Sequence, residues 1–485
     1  MKNKTYFTTI TLVLSFILFT SCEEDLIVEP NDSLNVIDFL NNPNNAIQLV
    51  NGVYNKQLDF EMYSFSWIGM TSITSDDADK GSSLSDTGSD KNKMDNLTFE
   101  ASDISFREVW QGRYDGIGRA NNALFYLDQL EIQETLKNRL IGETKFLRAL
   151  YYFDLVRCFG GVPIVTTQIN INDSNLINQV VFVRKTKQET YAQIEKDLLD
   201  AIQQLPLKGQ YAVNDLGRAS KGAAEALLAK VYLYQEKWQE AFDMSGNVIG
   251  SGQYGLLSNY EDVWREVGEN KVESIYEVQC SSGNAMRAYS YVQAPRGTPD
   301  LGWGFNSPSL ALANAYEAND SRKAATILFS TNDLWDGFPA SPGWSNPRYN
   351  YKSYHSSIQE SWNGDRELTG KNLRILKYSD ILLIRAEAAL NLGNTVEALE
   401  KVNLIRVRAG LEALTGITMD QLLNERRLEM AMEHDRWFDL IRTGRASAAM
   451  AANGKTFIVG KHELFPIPQS EIILSGGLLL PNPGY

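Results

Sequence analysis

Two stretches of the 485-residue chain concentrate side chains able to hold a ligand. Thr74–Asn96 carries Asp76, Asp77, Asp79, Lys80 and Asn92, with Trp67 just upstream. Tyr289–Trp362 is dense in aromatic residues, with Arg296, Asp300, Asp336, Asn346 and Arg348 among them. Aromatic faces stack on flat apolar surfaces and bury area, while carboxylates, amides and guanidinium groups bond hydroxyls. This is binding chemistry. The candidate contacts are Trp67, Asp77, Asp79, Tyr289, Tyr291, Trp303, Trp335, Trp344 and Tyr351. Each aromatic also has a structural alternative in the core. Trp67 could close the end of the preceding helix. Trp335 and Trp344 sit among Asp, Gly, Pro and Ser, where little apolar sequence is available to bury them. Trp110, Trp238, Trp264 and Trp437 lie in helical or scaffold contexts and read as core.

Catalytic motifs are missing where one would look for them. There is no nucleophile elbow, HExxH or P-loop: His462-Glu463 lacks the second His, and Gly454-Lys455-Thr456 lacks the upstream Gly. Sequence spacing cannot exclude a flanking carboxylate pair among 60 acidic residues. Asp76-Asp77-Ala78-Asp79 offers oxygens to calcium, but Gly81 falls at the wrong place for an EF-hand loop. Three His without a Cys/His grouping make no zinc site, so no metal and no cofactor are expected. Cys158 and Cys280 read as buried small hydrophobes rather than a bridge. Glu425-Arg426-Arg427-Leu428-Glu429 with Asp435-Arg436 reads as a buried ion network at helix ends. The net charge of −14 argues against nucleic acid and against docking on anionic lipid through basic residues.

The elements that must position these residues are mostly helical. Residues 1–21 read as a signal: Lys2 and Lys4 precede the apolar Ile10–Phe19, too short to span a bilayer. Leu18-Phe19-Thr20-Ser21-Cys22 is similar to a lipoprotein cleavage site, which makes Cys22 a lipidated first residue; Phe19 stands where such sites prefer Leu. Residues 22–35 read as a tether, opening on Glu23-Glu24-Asp25. Residues 36–249 read as the first part of a helical scaffold, with 74–96 as a long exposed loop. Gly142–Thr166 centres it: Phe146–Phe159 is apolar nearly all round, as in a buried helix, and Gly160-Gly161 with Pro163 stops it. In Ala224–Ile249 and again in Ile381–Val407, two alanines stand twelve apart across a turn, Ala229/Ala241 and Ala386/Ala398. This resembles the tetratricopeptide helix hairpin, which stacks into a continuous core. Residues 250–372, rich in Gly, Pro, Asn and aromatics, read as an irregular subdomain. Residues 373–485 return to helical hairpins and an extended tail.

The chain resembles the SusD/RagB-type outer-membrane lipoproteins of Bacteroidota. The resemblance rests on Trp110 with Tyr114 and Ala120-Asn121-Asn122, on Glu143–Ala149, Tyr151–Arg157 and Gly161-Val162-Pro163, and on Gly302-Trp303-Gly304-Phe305. It continues through Asn319–Arg322, Ile381–Ala388, Glu425–Glu429, Asp435–Leu440, Leu464–Pro468 and Asn482–Tyr485. It implies a mainly α, tetratricopeptide-like scaffold with an inserted loop-rich subdomain. It further implies a non-catalytic glycan-binding protein on the outer cell face. Such a protein is anchored in outer-membrane lipid through Cys22 and delivers oligosaccharide or polysaccharide to a SusC-like TonB-dependent transporter. A glycan site wants two or three exposed aromatics beside Asp, Asn or Arg. The resemblance carries over the region and not the individual contacts, since family members place ligand aromatics in variable loops. The alternative is a tetratricopeptide scaffold that binds only protein.

Overall fold

A computed structural model of the chain describes residues 36–83, 85–86, 88–170 and 172–485. The signal, the tether and Cys22 lie outside the described residues.

Helix Ile104–Gln129 packs on Glu134–Phe159, which packs on Lys187–Gln204; Lys221–Leu233, Trp238–Gly250, Tyr378–Asn391 and Thr395–Arg408 follow in order. Each contacts the next, so the helices form one continuous stack. The alanine spacing does what the hairpin reading requires: Ala229, Ala241, Ala386 and Ala398 are all fully buried, and small side chains let paired helices approach closely. Gly116 serves the same end in the first pair, where a Cβ would meet the Tyr151 ring at 2.6 Å. Thr186 and Glu189 form a capping box on Lys187–Gln204. The helix Glu134–Phe159 is buried along most of its length, and Gly160, at φ +74°, ends it. Its charges go inward with partners: Arg148 grips Asp197 through two bonds of 2.8 and 2.7 Å, and Asp154 accepts from Arg113 and Arg157. Charge-assisted pairs of this kind keep the buried ions solvated by protein.

The irregular segment leaves the stack between Trp238–Gly250 and Tyr378–Asn391, two helices that are direct neighbours. It is therefore an insertion closed at its base, where antiparallel strands Ser274–Val278 and Leu373–Lys377 pair. Short antiparallel pairs continue outward at 286–287 with 368–369, 297–298 with 343–344, and 327–329 with 348–350. The insertion has a small core of its own: Leu301, Leu328, Leu334, Trp344, Tyr349, Tyr351 and Tyr354.

Residues 74–96 differ from the exposed loop their composition suggests. Thr74–Ala78 is wholly buried, Ala78–Gly81 is a strand paired with Phe305–Pro308, and Lys91–Asn96 is a short helix. Ion pairing makes this possible. Arg436 holds both oxygens of Asp76 at 2.7 Å, and Arg427 binds Asp77 through Nε at 2.7 Å. The run Glu425–Arg436 is thus a buried ion network as its sequence suggests, extended by Arg426 to Asp380 and Asp439. Cys158 and Cys280 are free thiols, the first buried and the second half-buried.

Candidate functional site

The strand pair 78–81/305–308 ties the two chemistry-bearing stretches together. Between Tyr291 and Phe305 the chain makes a tight double-back. The Trp303 N–H donates to the Tyr291 carbonyl at 2.8 Å, Gly304 N–H to Ala294 at 2.9 Å, and Leu301 and Gly302 N–H to Pro295 at 2.8 and 2.9 Å. Gly302 has no substitute here, because a Cβ would lie 2.2 Å from the Tyr291 carbonyl oxygen. The Gly304 carbonyl accepts from the Ser82 N–H and from Asn346 Nδ2, both at 2.6 Å. Arg296 donates to Ser82 Oγ at 2.9 Å and pairs with Asp86. The turn is bolted on both sides, so its two large rings are pre-positioned.

Those rings meet two more from the scaffold. Trp303 packs edge-to-face on Tyr291 (centroids 5.8 Å apart), on Phe65 (5.5 Å) and on Phe60 (6.5 Å). All four side chains are half-buried, packed on one another and still partly exposed. Phe65 rests on buried Phe305 at 4.7 Å, with the Lys91 ammonium 4.1 Å from its ring. That ammonium donates to Asp90 and to Ser105 Oγ, which fixes the floor. Polar groups surround the rings. The exposed Arg287 guanidinium lies 5.9 Å from the Phe60 centroid, and the exposed Asp300 accepts from the Gly302 N–H. Burial, and then the negative charges of Asp300, Glu367 and Asp365 against the positive charge of Arg366, push the Tyr291 hydroxyl above the ordinary phenol range. It stays protonated at neutral pH. The surface can stack a flat apolar face and bond the hydroxyls at its edge.

The structure places the other candidate residues elsewhere. Burial takes Trp67 off the surface: it is 4% exposed, with the Arg113 guanidinium 4.2 Å from its ring, and it packs on Tyr63 and Phe438. Tyr289 is buried, its hydroxyl 3.1 Å from His434 Nε2. Asp77 is buried in its ion pair; burial and the adjacent Asp76 charge raise its carboxyl above the usual range, opposed by Arg427 and Arg436. Its carboxylate is engaged by Arg427 rather than offered to solvent. Asp79 is exposed, and the charges that act on it are those of Asp95, Lys455 and Arg348. Trp344 is 6% exposed and its Nε1 donates to the Pro299 carbonyl at 2.9 Å. Tyr351 is buried with Arg265 4.6 Å from its ring, and its hydroxyl accepts from the Trp335 N–H. Trp335 is half-buried, 5.2 Å from the same guanidinium. Trp344 and Tyr351 are buried among Leu301, Leu328, Leu334, Tyr349 and Tyr354, with Trp335 packed at the edge of the same cluster. Among the described residues no group of His, Cys, Asp or Glu is placed to hold a metal ion.

Of the candidate contacts, the structure therefore brings together Tyr291 and Trp303. It adds Phe60, Phe65 and Arg287, which the sequence reading did not single out. One signal was present: the aromatic run Phe60–Trp67 is broken at Ser64, which stops Phe60–Tyr63 from continuing as a single helix and separates it from Phe65–Ile68.

Comparison with known proteins follows the same geometry. Residues 32–233 match a family model described as "Starch-binding associating with outer membrane", and residues 272–485 match the model of the SusD family. A solved "Laminarin binding SusD-like protein" is 30% identical, superposes with a TM-score of 0.79, and matches 91% of this chain and 99% of its own. This chain belongs to the SusD family. Within it, "SusD-like protein P38" of Formosa agariphila is 26% identical over 94% of this chain and 95% of its own length. Surface glycan-binding protein A from Bacteroides thetaiotaomicron, solved in complex with laminarihexaose, is 25% identical with a TM-score of 0.77 over 90% of this chain and 99% of its own. The mainly α, tetratricopeptide-like architecture is thus that of SusD-like proteins.

Proposed function

We propose that this SusD-family protein is a cell-surface glycan-binding lipoprotein. It captures oligosaccharide or polysaccharide by stacking and hands it to a SusC-like TonB-dependent transporter. The observation that carries the reading is the partly exposed cluster of Trp303, Tyr291, Phe60 and Phe65, with the exposed Arg287 and Asp300 beside it. Pyranose rings present flat C–H faces and equatorial hydroxyls, which suit this arrangement of rings and polar edge. The site holds its ligand and does no covalent chemistry on it. The relatives that bind laminarin and laminarihexaose make β-glucan the first ligand to test.

The anchor is Cys22, carrying the acyl chains that hold the protein at the outer membrane facing outward. Several chains exceed the marginal hold of one. Affinity gel electrophoresis against a polysaccharide panel that includes laminarin tests the binding. Retardation by at least one polysaccharide, abolished in Trp303→Ala, is expected; retardation by none, with hydrolysis of one, would overturn the reading. Cys22→Ala should release the protein from the membrane fraction, and unchanged anchoring would rule out lipidation there.

A further inference from the structure

A concavity of about 530 Å³ is lined by Gln48, Asn51, Asn55, Asn214, Gln279 and Asn284. Its volume is that of an ordinary small-molecule site. Its polar lining is mostly carboxamide, with Tyr54, Leu58 and Leu216 as the apolar part of the wall. The one charged lining residue, Arg218, is neutralised by Glu143 at 2.9 Å and Asp215 at 2.8 Å, and its remaining nitrogen donates to Asn51 Oδ1 at 2.8 Å. No carboxylate and no lysine lines the cleft. Asn55, Asn214 and Asn284 are exposed, and among the described residues their side-chain amides have no hydrogen-bond partner. Each amide both donates and accepts. An array of this kind matches a neutral ligand bearing many hydroxyls, and it has no unpaired positive charge to favour a phosphate or a carboxylate.

Two neighbouring chain segments lead from the cleft to the rings, and Lys56–Leu58 contacts Met286–Arg287. Gln57 and Leu58 line the cleft, and Phe60, two residues on and so within about 7 Å along the chain, belongs to the aromatic surface. Asn284, also in the lining, stands three residues before Arg287, whose guanidinium is 5.9 Å from the Phe60 ring. We infer that the amide cleft is a distal subsite for the same neutral glycan chain, engaged by the sugar units that run past Phe60. The inference rests on the binding role of Trp303 and deepens it: the rings hold a short segment, and the cleft sets a preference for longer chains.

Gly52→Phe tests it. Gly52 lines the cleft, and a Cβ there meets nothing within 4 Å, so a side chain can be added at this position to occupy cleft volume. Binding of three-unit and six-unit laminari-, cello- and malto-oligosaccharides is measured on wild type, Gly52→Phe and Trp303→Ala. Tryptophan fluorescence reports the rings, and ¹⁵N side-chain amide resonances report Asn55, Asn214 and Asn284. The wild type should bind a six-unit chain about tenfold more tightly than its three-unit form, as one or two added hydrogen bonds would give. It should also shift those amides. In Gly52→Phe the length preference and the amide shifts should vanish, with three-unit binding unchanged. Amides that stay silent in the wild type at saturating hexaose, or a length preference that survives Gly52→Phe, would overturn the inference while fluorescence still reports Trp303. Silence of both signals would overturn the inference and the proposed function together.

Discussion

The insertion contains two aromatic clusters of similar composition and opposite fate. Trp344, Tyr349, Tyr351 and Tyr354 close on each other with Leu301, Leu328 and Leu334, and form a miniature core. Tyr291 and Trp303 lie against Phe60 and Phe65 at the seam between insertion and scaffold, where all four rings stay partly exposed. The difference lies in what backs each ring. A segment with few aliphatic residues must build its interior from aromatics, and those rings are consumed by stability. Rings at a seam borrow their floor from the scaffold and stay partly exposed.

Removing a ring from each cluster should therefore do different things. Trp344→Ala, which empties a buried site and orphans the Pro299 carbonyl, should cost about 3–5 kcal/mol of stability and leave glycan affinity intact below the lowered Tm; thermal denaturation and binding measured together check this. Next in size is the ion network beneath the seam. Arg427→Ala leaves Asp77 buried without its partner and should cost about 3 kcal/mol by urea denaturation. The double variant with Asp77→Asn should recover part of the loss.

The third effect is pH-dependent. Burial pushes His434 down to about 4, below its ordinary value, with Asp435 opposing. Above pH ~6.5 both folded and unfolded states hold this histidine neutral, so it contributes nothing there. As pH falls from ~6.5 toward 4, the unfolded state takes up a proton that the folded state refuses. Stability then drops by up to ~1.4 kcal/mol per pH unit for this group. His434→Asn should flatten that slope by about one proton in denaturation curves taken across the window. The smallest effect belongs at the partly exposed cluster. Tyr291→Phe keeps the ring and removes one hydroxyl, so affinity should fall by about three- to tenfold, within the value of one hydrogen bond, with Tm unchanged. A large drop in Tm would mean the hydroxyl serves the fold rather than the ligand.

Much of the scaffold was legible in sequence. The alanines at 229, 241, 386 and 398 mark the hairpins because close helix approach tolerates few other side chains, and the all-round apolar run of Phe146–Phe159 admits only an interior helix. Residues 74–96 were misleading because polarity alone suggests solvent, whereas Arg427 and Arg436, some 350 residues away in the chain, neutralise Asp76 and Asp77. Composition cannot register a partner so distant. The site was half legible. Tyr291 and Trp303 stood out by residue type, but whether an aromatic ends inside or at a seam depends on long-range pairing such as 78–81 with 305–308. Phe60 and Phe65 belong to the scaffold by position and to the site by geometry, so a local reading separates them from it.

The central claim is that the partly exposed Trp303 holds the glycan. Calorimetric titration of laminarihexaose into wild type, Trp303→Ala and Trp344→Phe, each confirmed folded by its Tm, tests it most directly. The account predicts a loss of at least about 2 kcal/mol, or some thirtyfold, in Trp303→Ala, and near-wild-type affinity in Trp344→Phe. Undiminished binding by a folded Trp303→Ala protein, or its loss in Trp344→Phe alone, would contradict it.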